Sequence, residues 1–74
     1  MSKEDNETIK KSRQDEFNHI MRLYDLSRAE TAEIIGTSIH AVSSYTSGRV
    51  FIPLNRLNNL IIHVQGEYGY DGIT

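Results

Sequence analysis

Leu26-Ser27-Arg28-Ala29-Glu30-Thr31-Ala32-Glu33-Ile34-Ile35-Gly36-Thr37-Ser38-Ile39-His40-Ala41-Val42-Ser43-Ser44-Tyr45-Thr46-Ser47-Gly48-Arg49 is the stretch whose reading decides the fold. Ser27 to Glu30 form a capping box: the serine oxygen accepts from the amide three residues on, and the glutamate reaches back to the cap amide. A helix of about two turns follows and closes at Gly36, where the turn requires a positive φ. Thr37 and Ser38 offer a second cap, and the run from Ile39 to Ser47 predicts another helix, ended by Gly48 in the left-handed conformation. Ala32 is small where the two helices must pass closely. Val42 and Tyr45, three residues apart, share one face and point inward, and Ile35 completes the small core beneath the turn.

Outward from this pair, Phe17, Ile20, Met21 and Tyr24 recur at helical spacing and predict an amphipathic helix from Arg13 to about Asp25. Residues 1–12 are polar, of mixed charge, with Ile9 as their one aliphatic side chain, and read as a frayed N-terminal arm. After an extended Val50-Phe51-Ile52, Pro53 suits the first turn of a fourth helix, whose apolar stripe is Leu54, Leu57, Leu60, Ile61 and Val64. Residues 65–74 contain three glycines. Tyr68 and Tyr70 alternate with small or polar residues, which permits a short strand, but the glycines favour a loose tail. The chain therefore divides into an arm (1–12), a helical domain (13–64) and a tail (65–74) able to supply a dimer contact. The fold class is all-α, with four to five helices.

A chain of 74 residues is one small domain with a marginal core. It has no cysteine, so disulfides and thiolate metal sites are excluded, and a second subunit is the expected support. The N-terminus lacks the apolar segment of a signal peptide, and no apolar run approaches the length of a membrane span. A cytoplasmic protein is expected, with no membrane association.

The formal net charge of −2 argues at first against a polyanionic partner, but the distribution reverses that impression. Eight of the ten carboxylates lie between Glu4 and Glu33, and the others are Glu67 and Asp71. None falls from Ile34 to Gly66, where His40, Arg49, Arg56 and His63 stand. The field of one face matters more than the net charge when that face meets nucleic acid.

The segment from Leu26 to Arg49 resembles, without a gap, the helix-turn-helix of the Cro/C1-type (XRE-like) phage repressor family, and the likeness continues into Ile52-Pro53 and the leucines beyond. It covers about residues 15–64. The resemblance implies a lambda-repressor-like DNA-binding domain, acting as a homodimeric transcriptional repressor on a palindromic double-stranded DNA operator, with no cofactor and no small-molecule ligand. Two positions depart from the family. Thr31 replaces a usual aliphatic residue, which predicts looser packing between the second and third helices, and Thr46 replaces a common glutamate. Little sequence remains for the family's fifth helix.

With Val42 and Tyr45 inward, the outward set on the third helix is Ile39, His40, Ser43, Ser44 and Ser47, which matches the family's base-contacting positions. A helix fits the major groove, where serines can donate or accept toward base edges, His40 can donate to a purine N7, and Ile39 suits a thymine methyl. Phosphate contacts position such a module without reading sequence. Arg28, at the free amides opening the second helix, is one candidate, and Ser38, Arg49 and Arg56 are the others. No His/Asp/Glu spacing suggests a metal, and no nucleophile has a base in a recognisable motif, so an enzyme is not expected. The alternative is a protein-interaction module, such as an antitoxin-like subunit, using Ile34, Ile62, Tyr68 and Tyr70 as an apolar surface.

Overall fold

The structure, a computed structural model, describes the backbone of residues 3–71 and the side chains of residues 8–71. Four helices follow one another: α1 (Lys3–Leu23), α2 (Arg28–Ile35), α3 (Ile39–Ser47) and α4 (Leu54–Tyr68). There is no strand among the described residues. None of their helices is long and apolar enough to cross a membrane.

Each boundary has a local chemical cause. Asp25 ends α1 in the left-handed region at φ 52°, a conformation that Asp tolerates better than most residues, and the Leu26 amide closes back on the Met21 carbonyl at 2.9 Å. At the start of α2 both halves of the capping box form: the Glu30 amide donates to Ser27 Oγ at 3.0 Å, and the Ser27 amide donates to Glu30 Oε1 at 3.1 Å. Gly36 turns the chain at φ 73°, and the Thr37 amide donates to the Ala32 carbonyl. The Ala41 amide donates to Ser38 Oγ at 3.1 Å to open α3. Pro53, with φ −64°, precedes the first turn of α4.

The core draws on every helix: Phe17 and Ile20 from α1, Ala32 and Ile35 from α2, Val42 and Tyr45 from α3, and Leu57, Leu60 and Val64 from α4, with Leu26 and Ile52 from the connections. Helix α2 packs on α3 and α4, and α1 lies across α3 and α4. Thr31 is fully buried, yet its hydroxyl donates to the Ser27 carbonyl at 2.9 Å. The one polar atom that Thr31 introduces into the core is thus satisfied within its own helix.

Three expectations are corrected. Residues 3–12 are helical and belong to α1, so they form no frayed arm; residues 1 and 2 lie outside the described residues. This stretch has no Gly or Pro, and it carries acids at its start and lysines a turn later, the order that a helix dipole favours even without an apolar stripe. At the other end α4 continues to Tyr68, and the chain then folds back at Gly69 instead of trailing off as a loose tail or pairing as a strand; residues 72–74 lie outside the described residues. Tyr24 stacks on Tyr68 with ring centroids 4.3 Å apart and meets Tyr70 edge-on at 6.0 Å, and Tyr70 donates to Glu16 Oε2 at 2.6 Å. Leu54, expected in the apolar stripe, is exposed as the first residue of α4, a turn ahead of the buried positions Leu57, Leu60 and Val64.

Candidate functional site

Helix α3 is held from beneath and from its C-terminal end. Val42 is fully buried, and Tyr45 meets Phe17 edge-to-face, their centroids 6.0 Å apart. Helix ends leave carbonyls without intrahelical partners. Here the Asn18 side-chain amide of α1 donates to the Thr46 carbonyl at 3.3 Å, with Gln14 a longer donor at 3.5 Å. Gly48 follows at φ 83°.

With that side fixed, the opposite side faces solvent. Ile39, His40 and Ser47 are exposed, and Ser43 and Ser44 are half-buried. Arg28, His40, Ser43, Ser44, Ser47 and Arg49, joined by Thr46, line one open concavity of about 290 Å3. Six side chains singled out in the sequence thus come together, although Arg28 belongs to another helix. Among the described residues no carboxylate lines the concavity. Glu30 and Glu33 instead border a separate cleft with Ile34 and His63.

The hydroxyls divide into two classes. Thr46 Oγ1 donates to the Ser43 carbonyl at 3.0 Å, and Ser47 Oγ donates to the Ser44 carbonyl while accepting from the Arg49 amide. Among the described residues Ser43 and Ser44 side chains have no protein partner, so both hydroxyls are available to donate and accept. Arg28, His40 and Arg49 likewise form no ion pair among the described residues. The face offers guanidinium groups, an imidazole and hydroxyls, a set suited to oxygen and nitrogen acceptors on an anionic partner.

Three candidates stand apart from the concavity. Ser38 spends its oxygen on the α3 cap. Ile39 lies exposed in the first turn of α3. Arg56 has a bond that its sequence position does not reveal: its Nη1 donates to the carbonyls of Ile35 at 2.8 Å and Gly36 at 3.0 Å, bracing the turn between α2 and α3. Thr46 is a lining residue that the sequence reading passed over. It sits one position after inward-facing Tyr45, at the margin of the outer face. The α1 amides Gln14 and Asn18 were also missed, since nothing local to α1 indicates what they touch.

Among the described residues no group of three or more His, Asp or Glu side chains is placed to hold a metal ion. Comparison with family models, with curated proteins and with solved structures finds no match to this chain.

Proposed function

We propose that the chain binds double-stranded DNA by laying α3 in the major groove, as a sequence-specific transcriptional regulator of the Cro/C1 type. The observation that carries this reading is the meeting of Arg28 with His40, Ser43, Ser44, Ser47 and Arg49 on one concave face that, among the described residues, no carboxylate lines. An α-helix with short polar side chains outward can approach base edges closely, and Ser43 and Ser44 have the unspent hydroxyls that direct readout needs. Arg28 and Arg49 supply phosphate contacts at the borders, Ser38 at the end of the turn and Arg56 on α4 beside it are further phosphate contacts, and Ile39 meets thymine methyls. The protein acts in the cytoplasm as a homodimer, with two copies of α3 in successive major grooves about 34 Å apart on a palindromic operator. It represses by occluding the promoter and uses no cofactor.

A second reading, a module that binds another protein, draws on exposed apolar side chains. Of the four side chains expected there, Ile62 is 65 % exposed and Tyr68 is exposed on α4, whereas Ile34 and Tyr70 are partly buried against the core; Val50, Phe51 and Leu54 are exposed at neighbouring positions. In the DNA reading such surface serves the second subunit.

Selection of bound sequences from a random duplex pool tests the proposal. The expected result is a defined, two-fold symmetric site, with Ser44→Ala or His40→Ala altering the recovered sequence and Arg28→Gln weakening binding to all sequences alike. A recovered pool no different from the input, together with capture of a protein partner through Ile62, contradicts it.

A further inference from the structure

A second concavity, of about 440 Å3, adjoins the first and shares Arg28 and Thr46 with it. Its far wall comes from α1, through Asn18 and Arg22, with Asp25 just beyond the helix. At 3.6 residues per turn, Lys11, Gln14, Asn18 and Arg22 fall on one stripe of α1, spaced by three, four and four. The two middle members are tied to α3, since both amides donate to the Thr46 carbonyl. Gln14 also reaches the end of α3: a Cβ on Gly48 would lie 2.7 Å from Gln14 Nε2. The stripe therefore follows the C-terminal edge of α3, with Lys11 past Gln14 on the Gly48 side and Arg22 beside Arg28. Lys11 and Arg22 are exposed, and neither forms an ion pair among the described residues. Asp15 and Glu16 are the carboxylates nearest the stripe along the chain, and neither lines either concavity; Asp25 is the one carboxylate among the described residues that does.

A helix about 10–12 Å across fills a major groove about 12 Å wide, so whatever flanks that helix faces the phosphates at the groove's rim. We infer that α1 is a second DNA-contacting edge, with Lys11 and Arg22 binding backbone phosphates of the strand that runs beside α3. This rests on the DNA reading and adds to it an element outside the helix-turn-helix. Being phosphate contacts, the two cations raise affinity and salt dependence and carry no sequence preference.

The test is the salt dependence of binding to a selected duplex, measured for the unchanged protein and for Lys11→Gln, Arg22→Gln and Arg13→Gln. Arg13 lies on the opposite face of α1 and removes the same charge. Lys11→Gln and Arg22→Gln are each expected to make the log–log slope shallower by about 0.9, with the ranking of DNA sequences and the melting temperature unchanged, while Arg13→Gln leaves the slope as it was. Unchanged slopes in both stripe variants, or an equal change in Arg13→Gln, overturn the assignment of α1 while leaving α3 as the reader. Failure of the unchanged protein to bind any duplex at low salt overturns the DNA reading beneath it.

Discussion

Phe17 of α1 and Tyr45 of α3 meet edge-to-face at 6.0 Å and 88°, and through this contact the first helix supports the inner side of the third. Edge-to-face pairs add roughly 0.5–1.5 kcal/mol beyond the area they bury. Tyr45 is 7 % exposed, and its loss opens a cavity at the junction of α1 and α3. Tyr45→Ala is expected to cost about 3–4 kcal/mol, a large part of the stability of so small a domain, whereas Tyr45→Phe costs less than about 1 kcal/mol. Urea denaturation followed by circular dichroism measures both.

Gly36 and Gly48 both have positive φ but differ in what surrounds them. A Cβ at Gly36 would stand 3.9 Å from Arg56 Nη1, in ordinary contact, while one at Gly48 would meet Gln14 Nε2 at 2.7 Å. Alanine at either site carries a left-handed penalty of roughly 1–2 kcal/mol. Gly48→Ala adds displacement of the Gln14 amide from the end of α3. A double-mutant cycle should find Gly48→Ala milder in a Gln14→Ala background, and Gly36→Ala equally costly in both.

Arg56 braces the Ile35 and Gly36 carbonyls through one guanidinium nitrogen. A charged donor on carbonyls at a helix end is worth more than an ordinary surface contact, though partial exposure lowers its value. Arg56→Gln is expected to lower stability by roughly 1 kcal/mol, and Arg49→Gln by less than about 0.5 kcal/mol. Thermal melts of the two variants at matched salt distinguish the bracing arginine from the solvated one.

The C-terminal fold-back responds to alkali. Partial burial, then the hydrogen bond to Glu16 and its negative charge, push the Tyr70 phenol from 10.0 up to about 12. The folded state thus favours the protonated phenol, so its contribution is fully present below pH 10 and is lost as the pH rises toward about 12. Melting temperature should fall across that window, and Tyr70→Phe should flatten the part of the fall that belongs to this group.

The parts of the fold legible in sequence were those set by neighbours in the chain. The capping box at Ser27 and Glu30, the glycine turn and the inward pair Val42 and Tyr45 depend on spacings of a few residues, and each stands where the spacing puts it. The helical character of residues 3–12 was hidden because that segment has no apolar period to read. Contacts made by docking were equally hidden. Tyr70 bonds to Glu16 across 54 positions, and Arg56 to Ile35 across 21.

The candidate site divides along the same line. The outer face of α3 follows from knowing which side Val42 and Tyr45 bury, and Arg28 joins it because α2 and α3 are linked by one short turn. Thr46, Gln14 and Asn18 enter only when α1 is laid against the end of α3. Leu54 shows the reverse failure: its spacing fits the apolar stripe of α4, but as the first residue of that helix it stands exposed.

The proposal stands or falls on which face of the molecule meets a duplex. Titration of isotope-labelled protein with a selected DNA site, followed by amide chemical shifts, reads that face directly. Shifts concentrated at Arg28 and from Ser38 to Arg49, with Glu30, Glu33 and His63 unmoved, are the expected result. Shifts centred on Ile34, Ile62 and His63, or none at low salt, would contradict it.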